Sequence, residues 1–237
     1  MKTAHGFASA AESRLPIALR VEAATAAFVV AVAVVGIALW PLTTPAFVRT
    51  LVTVVGSEEL SGLDREDTLA TAVTVLRFVT DRDAPDLPAR VGSVAAFDAD
   101  AVSHLIDVRD VLIPARTLAL VAAALACAWC VLRARTLRGR QAVGAALRGA
   151  GWLLVGAGGI AVLAGIVDFD AFFAAFHSVF FAAGTWVFPA DALLIRLFPL
   201  PFWITAGAVW AALVLVAAVL LIVFGTRLRF TSDHDGV

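Results

Sequence analysis

The chain has 237 residues, of which 61% are hydrophobic and only 16% are charged, and its formal net charge is −1. Soluble domains average about 45–50% apolar and about 25% charged residues, so the apolar excess indicates segments in contact with lipid. The near-neutral charge gives no support for nucleic-acid binding, which needs clustered positive charge. We therefore expect an integral membrane protein with no nucleic-acid partner.

Four apolar stretches have the roughly 20 residues needed to cross about 30 Å of hydrocarbon. We predict transmembrane helices at residues 23–43, 113–132, 149–167 and 203–224. The first stretch exceeds the apolar region of a signal peptide, which is about 7–15 residues, and no small-residue cleavage site follows it. The expected fold class is an all-α polytopic membrane protein with four transmembrane helices.

Basic residues indicate how these helices are oriented. The segment 133–148 carries several arginines and no acid. Because Lys and Arg near the ends of membrane helices are retained in the cytoplasm, we place this loop and the tails 1–22 and 225–237 inside. The longer segments 44–112 and 168–202 are then extracytoplasmic.

Segment 44–112 is too polar for lipid, and we predict that it forms a small helical cap. Asp67 and Thr68 are expected to start a helix whose apolar spacing extends to Val79. A second helix is expected near Asp98 or Asp100 and continues towards the second membrane helix, where Pro114 would kink or restart it.

Segment 168–202 begins with an aromatic, nearly uncharged stretch from Phe169 to Phe188. A fifth membrane crossing there would put one of the basic cytoplasmic segments on the outer side of the membrane. We therefore predict an interfacial or re-entrant helix. At helical spacing one face of it holds Asp170, Phe173, His177, Phe181 and Gly184.

Two histidines, His104 and His177, lie in apolar surroundings where an imidazole costs free energy unless it is hydrogen-bonded or used. The usual pKa of histidine, about 6.5, suits proton transfer near neutral pH. Asp107 follows His104 by one helical turn and is close enough to orient its ring. The alternative for each histidine is that it only hydrogen-bonds a neighbouring carbonyl. The alternative for Asp107 is that it belongs to an ordinary solvated helix surface.

Other site chemistries have weaker support. His104, Asp107, Asp170 and His177 include metal-ligating atom types, but their spacing is nonspecific and no H-E-x-x-H motif occurs. No G-x-S-x-G motif occurs, and a serine adjacent to a histidine on a helix points away from it.

Small residues within the predicted membrane helices are interpreted as packing residues. Cys127 and Cys130 lie one turn apart in an apolar run and are not expected to form a redox or zinc motif. Gly156, Gly158 and Gly159 are expected to allow close helix packing.

Two histidine motifs are the basis of a family resemblance. They read His104-Leu105-Ile106-Asp107-Val108-Arg109 and Phe176-His177-Ser178-Val179-Phe180-Phe181, and the second is followed by Trp186-Val187-Phe188 and by Leu194 to Pro199. Together with the four-helix layout they resemble the bacterial lipoprotein intramolecular transacylase family, Lit. The resemblance covers most of the chain.

The resemblance implies an acyltransferase of the bacterial cytoplasmic membrane whose site is extracytoplasmic. Its substrate would be a diacylglyceryl-modified lipoprotein, whose sn-2 acyl group moves to the α-amine of the N-terminal cysteine to give the lyso-form. The substrate contains its own nucleophile, so the reaction needs positioning, a base and oxyanion stabilisation, and we expect no cofactor or metal. Membrane lipids are the other expected partners.

On this interpretation the site residues fall into three groups. His104 and His177 would be catalytic; Asp107, Arg109 and Asp170 would support or orient them; and the substrate or lipid contacts would be Phe173, Phe181, Trp186 and Arg196. The sequence leaves open which histidine is the base, and also the oligomeric state. It also leaves a noncatalytic lipid-binding or scaffolding protein, or a metal-dependent outer-face hydrolase, as alternatives.

Overall fold

The structure is a computed structural model, and we describe its residues 15–234. In chain order the elements are α1 Ile17–Ile37, a 3-10 turn Pro41–Thr43, α2 Pro45–Val54, α3 Ser57–Ser61, α4 Arg65–Thr80, β1 Arg90–Val91, β2 Val94–Ala95, α5 Ala99–Arg133, α6 Leu137–Val167, α7 Phe169–Phe180, α8 Leu193–Leu197 and α9 Leu200–His234. Within this part of the chain four helices, α1, α5, α6 and α9, are long and apolar enough to cross a membrane. The predicted fold class is confirmed.

Contacts divide the chain into two compact units. The first unit contains residues up to Val34, Val121–Ala157 and residues from Leu215 onwards; the second contains Val35–Leu120 and Gly158–Val214. Each of the four long helices therefore contributes to both units. Both histidines singled out above belong to the second unit.

The second unit has an apolar core formed by short helices and by the start of α5. Helix α2 packs on α4, and α3 packs on α8. The most deeply buried apolar side chains include Val52 on α2, Phe78 on α4, and Leu193 and Leu197 on α8. Leu105 belongs to the same core, which fixes the position of the preceding residue, His104.

The start of α4 differs from the prediction. Asp64, and not Asp67, is the N-cap: its side chain accepts a hydrogen bond of 2.8 Å from the backbone N–H of Asp67. Thr68 is instead fully buried, and its hydroxyl donates to the carbonyl oxygen of Asp64 at 2.7 Å and lies 2.8 Å from the hydroxyl of Ser61. The predicted helix start was therefore three residues late, because more than one acid in this stretch can cap a helix.

A short β-hairpin, absent from the prediction, follows α4. Strands β1 and β2 pair antiparallel, with Arg90 opposite Ala95 and Val91 opposite Val94. Gly92, at φ +55°, occupies the turn between them. Strands of two residues are too short to show a periodic pattern in the sequence.

Helix α5 begins at Ala99, beside the predicted start, and the Asp98 side chain accepts a hydrogen bond of 2.9 Å from the N–H of Ala101. The helix continues through Pro114, so of the two predicted effects of this proline, a kink or a restart, the restart does not occur. A proline removes one hydrogen bond from the helical ladder, and long membrane helices tolerate this loss. His104 and the following membrane helix are consequently parts of one continuous element.

Close helix packing occurs at glycines other than those predicted. A Cβ atom built on Gly36 would overlap the Cβ of Ala119, and one built on Gly151 would lie 2.7 Å from the carbonyl oxygen of Ala218. Among residues 15–234, nothing lies within 4 Å of such an atom on Gly156, Gly158 or Gly159, so the packing interpretation of those three glycines is wrong. The spacing of glycines predicts a helix face without side chains, but it does not predict whether another helix packs on that face.

In the first unit, α1 and α5 are joined by polar side chains. Trp129 and Arg133, one turn apart on α5, both donate to the carboxylate of Glu22 on α1. The Nε atom of Arg133 lies 2.6 Å from the Glu22 oxygen. Two donors on one carboxylate satisfy a charge that would be costly in apolar surroundings.

We expect Gly151→Ala to destabilise the protein. The added methyl would lie 2.5 Å from Cγ1 of Ile222 as well as against Ala218, so α6 or α9 must move. Overpacking of this kind costs about 1–3 kcal/mol. The thermal unfolding midpoint of detergent-purified protein should fall, whereas it should stay or rise for the control Gly156→Ala on the same helix. Equal midpoints for the two variants would contradict the close contact.

Candidate active site

Helix α7 and the turn after it provide most of the site. Asp168 caps α7, accepting a hydrogen bond of 2.9 Å from the N–H of Ala171, and the helix ends at Phe180. Phe181 is extended, and Gly184 then adopts φ +88°, a conformation that costs glycine little. Gly184 therefore lies beyond the helix, and its predicted place on the helical face of His177 is wrong.

The imidazole of His177 has a defined hydrogen bond. Its Nδ1 lies 2.8 Å from the carbonyl oxygen of Phe173, one turn earlier, and since a carbonyl only accepts, Nδ1–H is the donor. A neutral ring then carries its lone pair on Nε2. Burial lowers the pKa of His177 below its ordinary value, partly opposed by the bond to Phe173. The neutral, proton-accepting form is thereby favoured near neutral pH.

Four aromatic rings lie around His177, which is half-buried. The distances from its ring centroid are 3.9 Å to Phe173, 4.8 Å to Trp186, 5.5 Å to Phe176 and 5.7 Å to Phe181. The sequence reasoning expected Phe173, Phe181 and Trp186 in the site, and the structure brings all three rings to His177.

His104 reaches the same group of rings from α5. It is 9% exposed, and its ring centroid lies 5.0 Å from Phe181 and 5.5 Å from Phe188. Its Nδ1 is buried without a hydrogen-bond partner in the described part of the chain. Phe181 thus contacts both histidines. Sequence reasoning missed the contact made by Phe188, although this residue ends the Trp186-Val187-Phe188 motif.

The two acids expected to support the histidines are placed differently. Asp107 is half-buried one turn after His104, and Asp170 is exposed in the first turn of α7. Over residues 15–234, no hydrogen bond or ion pair joins either acid to a histidine. The structure therefore keeps Asp107 near His104 but leaves Asp170 on the surface.

Besides His104, three donor groups of the second unit have a buried nitrogen without a partner among the described residues. They are Nε of Arg109, Nε of Arg196 and Nε1 of Trp186. The guanidinium of Arg109 lies 4.8 Å from the centroid of the Phe78 ring, and Arg196 lies against Gly62. Buried donors usually have partners, so these groups are candidates to bind oxygen atoms of a ligand.

Neither a metal centre nor a serine nucleophile is built by the described residues. They include no cluster of three or more His, Cys, Asp or Glu side chains that could hold a metal ion. Ser103 is exposed, and the Ser178 hydroxyl donates to the carbonyl oxygen of Ala175 at 2.8 Å. The chemistry available is that of two imidazoles in aromatic surroundings, with nearby N–H donors.

Four long apolar helices define a polytopic membrane protein, and His104 and His177 both lie against one phenyl ring in its second unit. The family model for lipoprotein intramolecular transacylase Lit matches residues 23–203, and the chain belongs to this family of acyltransferases. The resemblance stated from the sequence motifs is thereby confirmed. The family name specifies a lipoprotein substrate.

Solved structures of Lit from Bacillus cereus have the same fold. One is 13% identical, with a TM-score of 0.79, and the match covers 91% of this chain and 98% of that chain. Two others are 12% identical to this chain. In one a histidine is replaced by arginine; its TM-score is 0.68, and the match covers 92% of this chain and 94% of that chain. In the other a histidine is replaced by alanine; its TM-score is 0.69, and the match covers 91% of this chain and 96% of that chain. A search of curated protein sequences finds no significant match.

The hydrogen bond to Phe173 predicts the tautomer of His177. In ¹⁵N-labelled protein, Nδ1 should be protonated and Nε2 unprotonated at pH 7, and the ring should titrate below its ordinary pKa of about 6.5. Because the pKa is lowered, the neutral form should persist as the pH falls past 6.5. Imidazole ¹⁵N chemical shifts, assigned by comparison with the His177→Ala variant, measure both the tautomer and the pKa of His177. Protonated Nε2 with unprotonated Nδ1 would contradict the geometry.

Proposed function

We propose that the protein transfers the sn-2 acyl chain of a diacylglyceryl-modified lipoprotein to the α-amino group of its N-terminal cysteine. The product is an N-acyl, S-monoacylglyceryl lipoprotein, the lyso-form. The observation that carries the proposal is the placement of His104 and His177 around one phenyl ring, with Nε2 of His177 available to accept a proton. Family membership supports the substrate class.

His177 is assigned as the general base. Its Nε2 accepts a proton from the neutral α-amine as the amine nitrogen attacks the sn-2 carbonyl carbon, and the carbonyl electron pair moves to oxygen. The tetrahedral intermediate then collapses: the C=O bond re-forms, the bond to the glycerol oxygen breaks, and the imidazolium returns the proton to that oxygen. An amide and a free hydroxyl result, with no enzyme nucleophile.

His104 is assigned as a hydrogen-bond donor to the carbonyl or glycerol oxygen. Its ring is buried and Nδ1 has no partner in the described residues, so a substrate oxygen would satisfy a group whose burial is otherwise costly. Asp107, one turn away, would stabilise positive charge on the ring. The exposed position of Asp170 gives it no direct part in these steps.

The remaining site residues bind the substrate and exclude water. The rings of Phe173, Phe181 and Trp186 surround His177, so the acyl ester would lie in apolar surroundings where the tethered amine competes well with water. Arg109 and Arg196, whose Nε atoms have no partner within residues 15–234, would hold carbonyl oxygens of the lipoprotein peptide.

The proposed topology places this chemistry on the extracytoplasmic side of the bacterial cytoplasmic membrane. The arginine-rich loop 133–148 and both tails are cytoplasmic by charge asymmetry, which leaves 44–112 and 168–202 outside. His177 lies in an apolar, non-spanning helix, which suits the depth where lipid headgroups meet acyl chains.

We expect His177→Ala and His104→Ala to abolish lyso-form production while the protein still folds. Loss of acid/base catalysis typically costs about 10²–10⁴ in rate. The measurement is mass spectrometry of the N-terminal peptide of a reporter lipoprotein, from cells without other N-acylating enzymes. His5→Ala, at a residue outside those described, is the matched control and should remain active.

Three results would contradict this proposal. Unchanged lyso-form production after both histidine substitutions would remove the proposed mechanism. Unmodified peptide from cells with abundant unaltered protein would favour a lipid-binding or scaffolding role. Activity abolished by a chelator and restored by zinc would favour the metal-dependent alternative.

The topology is tested by thiol labelling in a variant whose two native cysteines are replaced by alanine. We expect Asp86→Cys to react with a membrane-impermeant maleimide in intact spheroplasts, and Arg138→Cys to react only after lysis. The physical reason is retention of the basic loop in the cytoplasm. The reverse labelling pattern would place the histidines on the cytoplasmic side.

A further inference from the structure

The turn after α7 fixes the position of one indole ring. The backbone N–H of Thr185 donates to the carbonyl oxygen of Ala182, and that of Val187 donates to Gly184. With Gly184 at φ +88°, this tight turn brings Trp186 back to the ring of His177, at 4.8 Å between centroids. The ring of Phe173 lies near the indole as well, at 6.2 Å between centroids.

The indole N–H of Trp186 is buried and has no acceptor in the described residues. Three other tryptophans differ. Nε1 of Trp203 donates to the carbonyl oxygen of Phe198 at 3.0 Å, and Nε1 of Trp210 donates to that of Val35 at 3.1 Å. Trp129 donates to the carboxylate of Glu22. Because a buried indole N–H usually has a partner, the bare donor of Trp186, next to His177, points to a ligand acceptor.

We propose that Nε1–H of Trp186 donates a hydrogen bond to the carbonyl oxygen of the migrating acyl group. This inference rests on the proposed acyl transfer and adds a catalytic residue to it. As the amine attacks the carbonyl carbon, the C=O electron pair moves onto this oxygen, and the hydrogen bond strengthens with the negative charge. When the intermediate collapses, the pair returns to the carbonyl, and the indole keeps its proton throughout.

The chemistry of indole limits it to this role. Indole N–H donates and does not accept, so it cannot take the proton of the amine, and it does not titrate in the working range of an enzyme. Its partner must therefore be an acceptor atom, and the ester carbonyl oxygen is the substrate acceptor that gains negative charge as the amine attacks. The surrounding phenyl rings exclude water and so strengthen the interaction.

The test removes the N–H group but keeps an aromatic ring. Trp186→Phe should lower the rate of lyso-form production at saturating substrate about 10- to 100-fold. This loss is comparable to, or smaller than, the loss on removing one oxyanion-hole donor from other enzymes. Replacement of Trp186 by β-(3-benzothienyl)alanine, which matches the shape of tryptophan but lacks the N–H, should give the same loss. The matched control is Trp203→Phe, which removes an indole N–H already bonded to its own backbone and should stay active.

A packing role for Trp186 gives a different result. If the indole acted only by shielding His177, the benzothienyl variant would keep the unaltered rate, and Trp186→Phe would shift the acidic limb of the pH–rate profile. Either result overturns the proposal. A lowered rate in both variants, with the acidic limb of the pH–rate profile at the same pH as in the unaltered protein, supports it. An unaltered protein without transacylase activity would instead overturn the proposed function and this inference together.

Discussion

The site depends on one phenyl ring shared by two histidines. Phe181 contacts His177, one turn before it on α7, and His104, which α5 brings from the other extramembrane segment of the chain. Imidazoles removed from water need hydrogen-bond partners, and here one backbone carbonyl satisfies His177 while Nδ1 of His104 has no partner in the described residues. This arrangement suits a substrate that brings its own polar atoms into an apolar enclosure.

Intramolecular transfer explains why so few protein groups are needed. In the proposed substrate, nucleophile and electrophile belong to one molecule, so a large part of the rate comes from holding them together. In the proposed mechanism the chain would contribute a base with a defined tautomer, N–H donors and a water-poor environment. The same surroundings that lower the pKa of His177 would, in this mechanism, favour the amine over water as the attacking group.

Much of the fold and the centre of the site could be predicted from the sequence. Membrane helices are recognisable because lipid imposes a length and an apolar composition, and both histidines were identifiable because an imidazole is unusual in apolar stretches. The start of α4 and the contacts of Gly156 were predicted wrongly, since several acids can cap a helix and a glycine does not reveal its neighbour. The hairpin at Arg90–Val91 and Val94–Ala95 was missed because two-residue strands show no pattern.

The sequence by itself determined the class of protein, its family, its four long helices and the two histidines, because these follow from composition and local motifs. Only the tertiary structure decided which side chains meet. It placed Phe181 against both imidazoles, turned Trp186 back onto His177 through Gly184, and left Asp170 exposed. Such contacts join residues up to about 80 positions apart, and they depend on backbone turns and packing that no local pattern encodes.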